Sequence, residues 1–379
     1  MNQRIFNILF IAILVTMIGL GIIVPLMPIY AQSLGATGVS LGIIFSGFSL
    51  SRIVFMPIIG KFSDKNGRKP FIITGLFLYA LVSLFYPFAQ SVSQLVCIRL
   101  FHGFASAMVL PIAMAHIGDI AKKGEEGRTM ATFTLALFLG MGTGPFLGGL
   151  LNDKFGLKMA FFTMSLLSLM AFFITLLFLP EIKTHHQIKK KNISLRQILK
   201  NKIIRALFVF RMANAIGRGG IMTFLPILAA KFSILPAQIG LLISVIIFIT
   251  GLFQRLFGVL ADRYNRFYLV FLGSLVASIS LMLFPFCNNF SQLLVVGALM
   301  GIGGAVAMPA AAAIIVVVGK ETGMAASMSI FNMAMSVGMM LSPIVLGFVM
   351  DTIGISAIFY FAGIFGLLSN VLFLILMPN

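Results

Sequence analysis

The sequence predicts an all-α integral membrane protein of twelve transmembrane helices arranged in two six-helix bundles. Composition is the first reason. Hydrophobic residues make up 60% of the chain and charged residues 9%, against roughly 25% charged in a soluble domain, and the mean hydropathy is +1.10. Segment length is the second reason: a helix needs about 20 apolar residues to cross a bilayer, and such stretches recur throughout. The third is a repeat at a fixed offset of 198 residues. Gly60 aligns with Gly258, Asp64 with Asp262, Lys65 with Arg263 and Arg68 with Arg266. The same offset joins Gly21 to Gly219, Pro28 to Pro226, Gly103 to Gly301, Pro145 to Pro343, Gly149 to Gly347 and Asp153 to Asp351. A duplicated membrane half in register for most of its length marks a transporter built from parallel repeats.

Taken in order, the first stretch, 5–30, follows Arg4 like a signal peptide. Its apolar run is longer than the usual ~7–15 residues of a signal core, so an uncleaved span is expected. Stretches 39–60 and 70–89 flank the signature GKFSDKNGRK, Gly60 to Lys69. Stretches 93–118, 129–151 and 158–180 complete the first half. A basic, polar segment follows Pro180, with Ile193–Leu199 patterned as an amphipathic surface helix and His185 and His186 as solvated residues. The second half runs through 202–229, 236–258, 267–287, 290–318, 323–349 and 354–377, with the weaker signature GVLADRYNR at Gly258 to Arg266. The expected division is 1–180, a cytoplasmic linker at 181–201, and 202–379.

A formal charge of +18 invites a nucleic-acid reading, but the placement of the charge rejects it. With both termini inside, 19 of the 27 Lys and Arg residues fall in cytoplasmic segments and only Lys154, Lys158 and Lys231 outside. That asymmetry is the positive-inside pattern and sets topology. The other five, Arg52, Arg99, Arg211, Arg218 and Arg255, lie within apolar stretches. Cys97 and Cys287 have no metal spacing and read as small packing residues. No nucleophile with a base, metal set or paired acids occurs at membrane depth, which argues against an enzyme.

Gly60-x3-Asp64-Lys65-x-Gly67-Arg68-Lys69 matches the motif between helices two and three of the major facilitator superfamily. IRLFHGFASA with Arg99 and Gly103, the helix-five run Gly140-x3-Gly144-Pro145-x2-Gly148-Gly149, and GLGIIVPLMP ending at Pro28 resemble segments of its twelve-helix drug:proton antiporters. The resemblance covers essentially the whole chain. It implies the major facilitator fold with cytoplasmic termini, a monomer in the plasma membrane (a bacterial inner membrane), and proton-coupled efflux by alternating access. Its partners are the lipid bilayer, a small-molecule substrate and protons. No cofactor is implied; the proton gradient is the energy source. In the family, Asp64, Arg68 and Asp119 would latch the outward-open state, and helix five would be the hinge and seal between halves. Three departures stand out. Ala131 replaces an earlier helix-five glycine, His102 replaces a common glutamine, and no Asp or Glu lies deep in any span.

The residues themselves suggest the following chemistry. Gly60 and Gly67 permit close helix approach and a tight reversal in a loop at 60–69. Asp64 can accept from a neighbouring helix N-terminus, and Arg68 can pair with Asp119. The expected gating motif is Gly60, Asp64, Gly67, Arg68, Lys69 and Asp119, with Asp262 and Arg266 in the second copy; there Asn265 replaces Gly67 and Val317 replaces Asp119, so the first copy reads as the latch and the second as a structural echo. Gly140, Gly144 and Gly148 line one helix face, and Pro145 permits a bend. An arginine at the bilayer centre costs ~2.5 kcal/mol or more, so it faces a cavity or a partner. Arg211, Asn214 and Arg218 form a polar stripe on helix seven, while Arg52, Arg99 and His102 sit on helices two and four. Without buried acid, these arginines would make a cavity suited to carboxylate, phosphate or sulfonate groups; alternatively they bond backbone carbonyls and fix packing. His102 could carry the coupled proton, the substrate could bring its own, or the ring is a neutral structural group. Two transport readings therefore compete: proton-coupled efflux of small amphipathic neutral or anionic molecules, and an organic-anion exchanger or uptake carrier.

Overall fold

The structure is a computed structural model, and it describes residues 3–122, 125–180, 201–322 and 324–376. The linker expected at 181–201 therefore falls, except for Asn201, outside the described residues, as do His185 and His186. Twelve helices among the described residues are long and apolar enough to cross a membrane. They are α1 (Gln3–Ser33), α2 (Gly38–Asn66), α3 (Lys69–Phe85), α4 (Val92–Ile120), α5 (Glu126–Phe155) and α6 (Leu157–Phe178), then α7 (Lys202–Ala230), α8 (Pro236–Arg263), α9 (Arg266–Leu283), α10 (Phe290–Thr322), α11 (Met324–Thr352) and α12 (Ile355–Leu376). The protein is an all-α multi-pass membrane protein.

Several helices outrun their apolar stretches. α2 continues to Asn66, so the loop expected at 60–69 shrinks to Gly67 and Arg68. A helix supplies its own backbone hydrogen bonds and persists into the polar interface until a stop signal ends it. Gly67 is that stop, at φ +94°, in the left-handed region that terminates helices. The second copy ends differently. Asn265 keeps φ at −62° and caps α9 instead, its side-chain oxygen accepting from the Phe267 N–H at 2.9 Å. Gly60 was expected to allow close approach, yet a Cβ added there would meet nothing within 4 Å. Cys97 is exposed on α4 rather than packed, and Cys287 is buried just beyond α9.

The chain forms two compact units. In the first, α1 packs on α5 and α6, and α3 on α4 and α6. In the second, α7 packs on α11 and α12, and α9 on α10 and α12. These are the same pairings six helices later, so the 198-residue repeat in sequence is a repeat of neighbours in space. Ile5, Leu9, Ile13, Leu76, Ile112 and Phe133 anchor the first core; Leu207, Phe210, Val270, Ile314 and Phe373 anchor the second.

The helix-five glycines depart from expectation. A Cβ at Gly140 would stand 2.5 Å from Met17, at Gly144 2.5 Å from the Ile18 carbonyl, and at Gly148 2.5 Å from the Ile22 carbonyl. The Gly140, Gly144 and Gly148 stripe is thus a seam between α5 and α1 inside the first unit. Spacing of four shows that the glycines share a face; it carries no information about which helix they meet. The second unit repeats the seam between α11 and α7, where a Cβ at Gly338 would lie 2.6 Å from the Met212 carbonyl.

Each unit also takes a short piece from the other half of the sequence. The first unit includes Leu235–Ser244 at the start of α8, and the second includes Thr37–Gly42 at the start of α2. Those helix starts have orphan N–H donors, and a carboxylate accepts from each. Asp351 at the end of α11 takes Gly38 N–H at 2.6 Å and Val39 N–H at 2.8 Å. Asp153 at the end of α5 takes Ala237 N–H at 2.9 Å; Pro236, equivalent to Gly38, has no N–H to offer. Glycines let the backbones meet: Gly149 abuts Pro236, Gly240 abuts Pro145, Gly42 abuts Pro343 and Gly347 abuts Gly38. Pro145 and Gly149 are therefore separated in role from the Gly140–Gly148 seam.

Two outcomes follow for stability. Gly144→Val should lower the unfolding midpoint of the purified protein in detergent, because overpacking this seam costs roughly 1–3 kcal/mol. Asp351→Ala, which strips two helix-start bonds, should be more destabilising than Asp153→Ala, which strips one; an exposed cap of this kind contributes about 1 kcal/mol. Equal midpoints for the two alanine variants would contradict the cap geometry.

Candidate functional site

At the ends of α2 and α4, the first unit holds an ionic cluster. Arg68, just past the Gly67 stop, reaches Asp64 at 2.5 Å and Asp119 at 3.1 Å, and its Nη1 donates to Ser63 at 3.0 Å. Helix continuation to Asn66 and Ile120 is what brings these residues together. Arg68 and Asp119 are each 14% exposed at the side chain, whereas Asp64 is 64% exposed. The inner pair is the stronger one, because solvent screens the outer. In the second copy Arg266 donates to the Ala261 carbonyl at 3.0 Å. The Asp262 side chain lies outside the described residues, as does that of Arg255.

Deeper in the same unit, Arg99 is 4% exposed and His102 fully buried. The Arg99 guanidinium carbon sits 4.7 Å from the Phe48 ring and 5.1 Å from Phe45, and Gly103 allows α4 to close on the Phe48 backbone. Its Nε and Nη1 have no hydrogen-bond partner. His102 Nδ1 shares a hydrogen bond with the Tyr86 hydroxyl at 2.9 Å, and Nε2 has no partner. Tyr79 stacks edge-on to His102 at 4.4 Å, and Arg52 on α2 is half-buried. Arg99, His102, Tyr79 and Tyr86 thus share one aromatic neighbourhood, and among the described residues no ion pair to Arg99 is present.

The helix-seven stripe divides. Arg211 turns toward α10 and α11, where it meets Met308, Met335 and Phe331. Asn214 instead lines a cavity of about 30 Å³ with Ser274, Ser278, Ser369 and Asn370 from α9 and α12. That volume holds about one water, and Asn370 Nδ2 and Ser369 Oγ are without partners there. Arg218 is half-buried. Residues three apart on a helix differ by about 60° in direction, enough to send the two groups to different neighbours. Tyr86, Met308, Met335 and Asn370 carry no motif; only the rule that a buried arginine needs company pointed toward such groups. Among the described residues, no group of three or more His, Cys, Asp or Glu could hold a metal ion.

For the ionic cluster, double-mutant cycles in thermal unfolding should give roughly 1–3 kcal/mol of coupling for Arg68 with Asp119, and only about 0.2–1 kcal/mol for Arg68 with Asp64. The reverse order would contradict the burial difference.

Comparison with known proteins supplies context. The family model described as Major Facilitator Superfamily matches residues 9–216 and 207–379. An uncharacterized MFS-type transporter of Methanocaldococcus jannaschii is 32% identical over 371 residues, covering 96% of each chain. The quinolone resistance protein NorA of Staphylococcus aureus is 25% identical over 318 residues, covering 82% of this chain and 80% of its own. Among solved structures, the nucleoside transporter NupG superposes with a TM-score of 0.85 at 17% identity, covering 99% of this chain and 100% of that one.

Proposed function

The chain belongs to the Major Facilitator Superfamily, and from that premise we propose that it is a secondary active exporter of small amphipathic molecules, neutral or anionic, coupled to protons and working by alternating access. It is a transporter and not an enzyme. Likeness to a quinolone resistance protein and the GP-x2-GG run at Gly144–Gly149 support export. The observation that carries the coupling is His102, buried beside Arg99 with one ring nitrogen engaged by Tyr86 and the other open. A proton arriving there adds positive charge next to a guanidinium. It therefore opposes binding of a cation and favours binding of an anion.

Substrate charge then sets the direction of coupling. A neutral substrate that competes with the proton is driven out by an inward proton gradient. A singly charged anion that binds together with the proton crosses without net charge, so an inward proton gradient draws it in, which is the uptake direction of the second reading. The second reading, an organic-anion exchanger or uptake carrier, is favoured by Arg99 and Arg211, which among the described residues have no carboxylate partner. The latch reading is retained for the Asp64–Arg68–Asp119 cluster, with both termini and this cluster on the cytoplasmic side, as the charge asymmetry suggests.

Counterflow in proteoliposomes, with and without a pH gradient, tests the proposal: exporter function requires gradient-dependent flux, and exchange requires flux only against a counter-anion. Asp64→Asn should stay in the membrane but transport on the order of tenfold more slowly. His102→Gln should bind substrate yet lose its response to the gradient. Unchanged gradient-driven flux in that variant would remove His102 as the proton carrier.

A further inference from the structure

Arg211 lies 9 residues into α7, a depth of roughly 13 Å along the helix. A guanidinium offers five N–H donors in a planar fork, and at this depth it would be expected to meet an acid or a row of carbonyls. It meets neither. Nη1 donates to Met308 Sδ at 2.8 Å and Nη2 to Met335 Sδ at 2.9 Å, the Phe331 ring lies 4.9 Å from the guanidinium carbon, and Nε has no partner. Thioether sulfur is a weak acceptor, so the fork is occupied without being well satisfied.

Resting on the transporter reading, we infer that Arg211, Met308, Met335 and Phe331 form a subsite for the carboxylate or sulfonate head of a lipophilic anion, with the two thioethers holding the anion's place when it is absent. An oxyanion would accept two parallel charge-assisted bonds from the fork that sulfur accepts only weakly. Methionine is unbranched with three rotatable bonds, so the sulfurs can withdraw without moving a helix. Once displaced, they and the Phe331 ring provide a polarisable apolar wall for an aromatic or alkyl body. A hydrated inorganic anion would gain nothing from that wall. Arg99 does not offer an equivalent seat, because it is 4% exposed, whereas Arg211 is only partly buried. The alternative is that the guanidinium merely ties α7 to α10 and α11.

Thermal unfolding of the full chain in a neutral detergent separates these roles, with 2-naphthalenesulfonate as the anionic probe and 2-naphthol as its uncharged counterpart. The sulfonate should raise the midpoint of the wild type and the naphthol should not. Arg211→Gln should weaken sulfonate binding roughly thirtyfold or more, as for loss of one partner of a buried charge pair. Arg211→Lys, which keeps the charge but loses the fork, should fall between. Should Arg211→Gln fail to fold, Met335→Glu decides: a carboxylate beside Arg211 fills the seat, so the variant should unfold no earlier than wild type and no longer respond to sulfonate. An equal sulfonate response in Arg211→Gln or Met335→Glu overturns the subsite, as does a wild type that ignores sulfonate. Flux of another solute without sulfonate binding discards the subsite and leaves the transporter intact. Sulfonate binding without flux of any solute does the reverse.

Discussion

Within hydrocarbon there is no water to hydrogen-bond, so every polar group that enters must find its partner inside the chain. Most features of this protein follow from that one requirement. It makes the backbone helical from end to end of each span. It allows helices to run past their apolar stretches until Gly67 or an Asn265 cap ends them. It also explains why hydroxyls turn back on their own helices, as Thr16 does on Ala12 and Ser83 on Tyr79. Since lipid is as apolar as leucine, helix association depends on close fit rather than on burial from water. The glycine seams of α1 with α5 and of α7 with α11 provide that fit.

The same requirement makes the cations informative. Arg99 is surrounded by ring faces and Arg211 by sulfur and a ring face, contacts that soften the cost of a buried charge without cancelling it. The acids sit elsewhere. Asp64 and Asp119 engage Arg68, while Asp153 and Asp351 engage helix starts. Every one of those carboxylates lies near a helix end, so the interior of each unit is left with positive charge and hydrogen-bond donors.

Much of this was legible in the residues. Twelve spans, their order and the repeat could be read from apolar length and the 198-residue offset, because one helix crossing needs a fixed length whatever surrounds it. The pairing of Arg68 with Asp119 was legible too, since both sit at helix ends on one side. Direction around a helix was not. The Gly140–Gly148 stripe has a clear face and no readable partner, and Arg211 and Asn214 looked like one stripe until three-dimensional neighbours separated them. The loop at 60–69 was overestimated because polar side chains were read as loop, when a helix end in the interface accepts them freely. Met308 and Met335 were invisible in a chain with 24 methionines, where no single one stands out.

The exchanged helix starts bear on how such a chain is made. The first unit contains Leu235–Ser244 and the second Thr37–Gly42, so neither covalent half holds all the residues of its own compact unit. Gly149 and Asp153 take their partners Pro236 and Ala237 from the eighth helix, which is translated after all six helices of the first half. Completion of the first unit must wait for part of the second to be translated. For the same reason, two polypeptides divided at the linker would each be missing a piece of structure that only the other can return.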